Sequence, residues 1–100
     1  MRLAKVRGTV VSTCKEPSLR GAKFLLVQLI SESGELLPEY EVAADVVGAG
    51  IGEWVLVARG SSARQHEGYS DRPVDAAIVA IVDTVNSDAG IAYNKRDDFS

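Results

Sequence analysis

One hundred residues suffice for a single domain with one core, and a 46% hydrophobic, 25% charged composition is that of an ordinary soluble protein without an apolar run of membrane-spanning length. The lone cysteine, Cys14, excludes an intramolecular disulfide and an all-cysteine zinc site within one chain. Net charge is −3 but unevenly spread: Arg2, Lys5, Arg7, Lys15, Arg20 and Lys23 stand against Glu16 alone near the N-terminus, so the remainder is strongly acidic. Such a split marks a nucleic-acid groove or, more often, solvated faces or complementary charges that meet across a subunit contact.

The basic opening Met1-Arg2-Leu3-Ala4-Lys5 lacks the apolar stretch of a signal peptide, so the cytoplasm is the expected compartment. Residues 4–11 then alternate as a strand, with Ala4, Val6 and Val10 on one side and Lys5, Arg7 and Thr9 on the other. Gly8 within it predicts a bend or a close backbone approach. Glu16-Pro17-Ser18-Leu19-Arg20-Gly21 reads as a turn-rich loop. Further strands are predicted over residues 24–30, 40–44, 53–59 and 76–85, with Ser33-Gly34 turning the chain between the first two of these. Two short helices are expected before the last strand. Ser61-Ser62-Ala63-Arg64-Gln65 could start at a serine cap, and Arg72-Pro73-Val74-Asp75-Ala76-Ala77 places proline where a first turn tolerates it.

From Asn86 the chain is polar and charged and reads as a tail, which divides the protein into a barrel domain over 1–85 and a tail over 86–100. The outline is all-β: a small closed five-stranded antiparallel barrel of oligonucleotide/oligosaccharide-binding (OB) shape, with one or two short helical inserts before the last strand.

Several strands are apolar on both faces. Phe24, Leu26 and Ile30 oppose Leu25, Val27 and Leu29; Trp54, Leu56 and Ala58 oppose Val55 and Val57; Ile78, Ala80 and Val82 oppose Ala77, Val79, Ile81 and Val85. A barrel this size has one interior, and each large apolar side chain left in water forgoes roughly 1.5–3 kcal/mol. Burial against neighbouring copies of the chain is the economical cover. Parallel α/β packing would also bury both faces, but no long amphipathic helix separates any pair of strands.

Residues able to carry chemistry are scattered. Cys14 and His66 are single members of their kinds, and no nucleophile motif surrounds either. Gly48-Ala49-Gly50-Ile51-Gly52 has G-x-G-x-G spacing and precedes a strand, whereas a dinucleotide fingerprint opens a helix; the glycines fit a tight backbone path near a neighbouring chain. Asp71, Asp75, Asp83 and Asp97-Asp98 lack metal-loop spacing. No catalytic, cofactor or metal site is therefore expected. The alternative function is an OB-like nucleic-acid-binding module, for which Phe24, Tyr40, Trp54, Tyr69, Tyr93 and Phe99 would have to supply stacking rings beside a basic groove. Net negative charge opposes it.

In order and spacing, the segments resemble the CcmL/EutN family of bacterial microcompartment vertex proteins. The matching stretches are Arg7-Gly8-Thr9-Val10-Val11-Ser12-Thr13, Leu19-Arg20-Gly21-Ala22-Lys23-Phe24-Leu25-Leu26, Val42-Ala43-Ala44-Asp45-Val46-Val47-Gly48-Ala49-Gly50, Glu53-Trp54-Val55-Leu56-Val57, Arg59-Gly60-Ser61-Ser62-Ala63-Arg64-Gln65 and Pro73-Val74-Asp75-Ala76-Ala77-Ile78-Val79-Ala80-Ile81-Val82-Asp83. Lys15-Glu16-Pro17-Ser18-Leu19-Arg20-Gly21 is most similar to the carboxysome branch of cyanobacteria, and Cys14 stands where that branch has a polar residue. The resemblance implies a non-enzymatic homopentamer without cofactor. It would sit in a shell of hexameric proteins around ribulose bisphosphate carboxylase and carbonic anhydrase, with an internal scaffold protein as a further partner and neither nucleic acid nor membrane. Ser61, Ser62, Arg64, Pro73 and Asp75, which flank the expected helical insert, are the candidate subunit-contact residues. Gly48, Ala49 and Gly50 form the candidate tight loop beside a neighbouring chain.

Overall fold

Five alternating apolar segments fold as barrel strands in a computed structural model that describes residues 1–11, 23–60, 76–88 and 90–95. They are β1 (Arg2–Val10), β2 (Lys23–Ile30), β3 (Leu36–Asp45), β4 (Trp54–Arg59) and β5 (Ala76–Ile81), closed in the order β1-β2-β3-β5-β4. Every ladder is antiparallel but one: β3 and β5 run parallel, with Ala44 opposite Ala77 and Asp45 opposite Ile78. The closed five-stranded barrel expected from the sequence is present, with one parallel ladder at this seam. Strand direction cannot alternate all the way round a closed ring of odd number, so at least one ladder must be parallel.

A bulge after Val6 resolves the role of Gly8. Val6 pairs with Val27, but Gly8 pairs with Leu26, so Arg7 is the extra residue. The insertion reverses the facing of the rest of β1. Val10, expected beside Ala4 and Val6, instead stands opposite Phe24 on the outer side of β2.

The inner face is continuous. Ala4, Val6, Leu25, Val27, Leu29, Ala43, Val55, Val57 and Ile78 form one buried cluster, with Ala49 from the loop after β3 entering it. The outer apolar faces form two smaller clusters. Ala44, Ala58 and Ala77 are buried with Phe24 and Val79 against them; Ile30, Trp54 and Tyr93 form the other, with Leu3, Val82 and Val85.

The last cluster changes the reading of the C-terminal segment. The strand expected over 76–85 ends at Ile81, and a hairpin comes next, built from β6 (Thr84–Ser87) and β7 (Gly90–Asn94). The boundary expected between Val85 and Asn86 falls inside β6, and part of the supposed polar tail packs on the barrel: Tyr93 is 4% exposed and stacks on Trp54 at 4.2 Å and 13°. The outward face of β4 is thus covered partly by the chain's own hairpin, where the sequence pattern points chiefly to other copies. Both helical inserts fall outside the described residues, except that Ala76 and Ala77 belong to β5, opposite Arg59 and Ala58.

Candidate functional site

One carboxylate organises the glycine-rich loop between β3 and β4. The Asp45 side chain is 1% exposed. Its Oδ1 accepts from the backbone N–H groups of Val47 and Gly48, each at 3.0 Å, and its Oδ2 from that of Ala49 at 3.0 Å. An aspartate after a strand can fold the next residues in this way because its short side chain reaches amides two to four positions on. Gly48, at φ +79°, supplies the left-handed turn that the path needs. The arrangement also answers the phosphate question. The amides that would cradle an anion already bind Asp45.

Glu53 fastens the far side of the loop. Its Oε1 accepts from the Gly50 N–H at 2.6 Å and its Oε2 meets Lys95 Nζ at 2.8 Å, while the backbone of Val6 exchanges hydrogen bonds with Glu53 and Gly52. Lys95 foremost, and the Gly50 amide next, hold the Glu53 carboxyl below its ordinary 4.5, and Glu53 in turn raises Lys95. A carboxylate depressed in the folded state stabilises above its unfolded pKa and loses that contribution as pH falls through the folded one. Glu53→Gln should therefore melt lower than wild type at neutral pH, and the gap should close below pH 4.5. A gap independent of pH in thermal melts would contradict the assignment.

Of the candidate contact residues, Gly48, Ala49 and Gly50 lie together in this loop. Ala49 is buried in the barrel core, and Val46, Val47 and Ile51 form an exposed apolar rim around it. Ser61, Ser62, Arg64, Pro73 and Asp75 lie outside the described residues, as do Cys14 and His66. Among the described residues no three His, Cys, Asp or Glu side chains come together as metal ligands. Nor do the described aromatic side chains make a base-stacking platform. Trp54 and Tyr93 bury their rings on each other, Phe24 packs on the second cluster, and Tyr40 alone of the described aromatics is exposed.

Sequence reasoning missed two features on β3. Tyr40 and Val42 point outward at 57% and 49% exposure. Between them, Glu41 Oε1 accepts from Arg59 Nε at 2.8 Å and Nη2 at 2.6 Å, a contact that raises the Arg59 pKa. Alternation of Tyr40, Val42 and Ala44 could have placed the outward pair. The Glu41–Arg59 contact joins residues 18 apart, and no local pattern announces it.

The protein is thus a small closed barrel with a carboxylate-held loop between β3 and β4. Residues 1–83 match the family model described as "Ethanolamine utilisation protein EutN/carboxysome", and the chain belongs to this family. It is 63% identical over 97 residues, 97% of this chain and 98% of the relative, to the carboxysome shell vertex protein CcmL of Synechococcus elongatus. The solved structure of Gloeobacter violaceus CcmL superposes with a TM-score of 0.91 at 59% identity, covering 96% of this chain and 99% of that one. The GrpN pentameric microcompartment shell protein of Rhodospirillum rubrum gives a TM-score of 0.79 at 50% identity, covering 87% and 99%.

Proposed function

We propose that five copies of this chain form a ring that closes a vertex of the carboxysome shell in a cyanobacterium. The observation that carries the reading is identity to a carboxysome vertex protein along nearly the whole of both chains. The role is structural. Hexagonal tiles alone extend as sheets or tubes, and a closed polyhedron needs five-fold units at its corners. A barrel with apolar outer surface can supply such a unit through head-to-tail contacts that close on themselves. Hexameric shell proteins are the proposed neighbours at the rim and an internal scaffold protein a further partner, around ribulose bisphosphate carboxylase and carbonic anhydrase as cargo. Ser61, Ser62, Arg64, Pro73 and Asp75, with the Gly48–Gly50 loop, are proposed at the subunit boundary. Support comes from Arg59, which holds Glu41 on β3 and immediately precedes Gly60 and Ser61 in the chain.

Light scattering after size exclusion should give the mass of five chains at micromolar concentration, and a single-chain mass would overturn the reading. Cells lacking this protein should still make shell sheets and gather cargo, in elongated or unsealed compartments. Closed polyhedra of normal size by electron microscopy, without this protein or a close paralogue, would contradict the vertex role.

A further inference from the structure

Glu53 divides one carboxylate between two distant parts of the chain. Its Oε1 accepts from the Gly50 N–H at 2.6 Å, and its Oε2 meets Lys95 Nζ at 2.8 Å. Gly50 belongs to the loop before β4, whereas Lys95 directly follows β7. Among the described residues no strand ladder joins these two elements. The loop hangs on the barrel through Val6, whose carbonyl accepts from Gly52 and whose N–H donates to Glu53, while β6 and β7 pair with each other. The stack of Tyr93 on Trp54 sets the register of the contact, because Glu53 immediately precedes Trp54 and Lys95 comes two residues after Tyr93. Lys95 is further placed by its own N–H, which donates to the Asp83 carbonyl at 2.9 Å.

The two halves of the loop are anchored differently. Val47, Gly48 and Ala49 donate to Asp45, whose side chain is 1% exposed and has little freedom to leave. Gly50 donates to Glu53, a longer side chain that is 16% exposed and has more rotamers to lose when it is ordered. Once Lys95 has fixed the Glu53 side chain, the bond to Gly50 forms without that entropic cost. Two contacts that share one ordering step favour each other, and the coupling runs in both directions.

We propose that Glu53 and Lys95 form a latch through which the seating of the β6–β7 hairpin holds the Gly50 end of the loop closed. Lys95 is a positioning residue here, acting on Gly50 through the Glu53 carboxylate. Whatever lifts the hairpin frees Gly50, and whatever draws Glu53 off Lys95 loosens the hairpin. Ile51, 65% exposed next to Gly50, is therefore presented in one fixed arrangement while the hairpin is seated. The latch lies within one chain, so it stands or falls independently of the ring reading. Its strength is modest, because the ion pair is partly exposed, and the effect belongs at the low end of site-to-site coupling, about fivefold.

Site-resolved amide exchange by NMR on the intact protein tests the latch with Lys95→Met and Lys95→Arg. Lys95→Met keeps the apolar stem and deletes the charge. The Gly50 amide should exchange about fivefold faster than in wild type, while Val47, Gly48 and Ala49, held by Asp45, keep their rates. Lys95→Arg should restore slow exchange at Gly50. Salt gives a second readout, since added ions screen a partly exposed pair. In wild type the Gly50 rate relative to that of Val47 should rise with salt, and in Lys95→Met it should not. In the reverse direction, Glu53→Gln should speed exchange over Thr84–Ser87. A Gly50 amide indifferent to Lys95→Met overturns the latch. So does equal acceleration of Gly50 and the three Asp45-held amides, which is general loosening, or a salt dependence that survives in Lys95→Met. An Lys95→Arg variant as fast as Lys95→Met overturns it as well.

Discussion

Asp45→Ala is expected to destabilise the barrel by about 3–5 kcal/mol, because it strips one buried acceptor from three backbone donors. A hydrogen bond to a charged group contributes roughly 1.5–3 kcal/mol, so three give an upper bound well above that figure. Water can reach the amides of exposed Val47 and Gly48 once the loop loosens, which lowers the cost. The Ala49 amide is buried and has no such relief. Asp45→Asn should cost less than alanine: its carbonyl keeps one pair of amides, while its NH2 group faces the remaining N–H donor to donor. Lys23 also approaches Asp45, at 3.6 Å, but its side chain is 54% exposed, and Lys23→Ala should change stability by no more than about 0.5 kcal/mol. Urea denaturation of the three variants at one protein concentration checks the series. Equal loss in Lys23→Ala and Asp45→Ala would show that the ion pair, and not the amide cage, is what Asp45 contributes.

Among the described residues the outer apolar surface is covered only in part. Ile30 and Trp54 on the outer surface are buried by the chain's own hairpin, through Tyr93 and Val85, and by Val82 just before it. Tyr40 and Val42 have no such cover, and Leu26 beside Val42 is only half-buried. The split follows from reach. The hairpin starts three residues beyond β5, next to β4 in the barrel, and lies over the end of β4 that bears Trp54.

Period-two alternation makes the two faces legible: Ala4 with Val6, Leu25 with Val27 and Leu29, and Val55 with Val57 share a side as expected, and the structure turns each of these sides inward. The same rule misplaces Val10, since the bulged Arg7 leaves no mark on composition beyond the neighbouring glycine. The parallel seam needs only a count of strands. Asp45 carries a weak local signal, as an aspartate three residues before a glycine in Asp45-Val46-Val47-Gly48. That both its oxygens are spent on three amides depends on burial of the loop against the core, which spacing does not encode. The hairpin is the least legible element. Its short strands lie in a polar stretch, and what makes them fold is a ring on Trp54, far back along the chain. Glu41 with Arg59 is hidden for the same reason.

That ring contact yields the second large effect. Trp54 is 7% exposed on a barrel strand, and Trp54→Ala removes its stacking on Tyr93 together with the packing of Ile30, at a cost of about 3–5 kcal/mol. Tyr93→Ala deletes the other half of the same contact from the hairpin side. The two losses should differ in where they act. Trp54 belongs to β4, whose ladders with β1 and β5 hold the barrel closed, so its loss is felt in global unfolding. Tyr93 belongs to a two-stranded sheet that pairs with no barrel strand, so its loss should free the hairpin while the barrel stays shut. Lys95 would still tie the end of β7 to Glu53. Native-state amide exchange separates the cases: Tyr93→Ala should speed exchange over Thr84–Ser87 and Gly90–Asn94 and leave Leu25, Val27 and Val55 nearly as slow as in wild type. Uniform acceleration across both groups would mean that barrel and hairpin unfold as one unit, and that Tyr93 is part of the core rather than its cover.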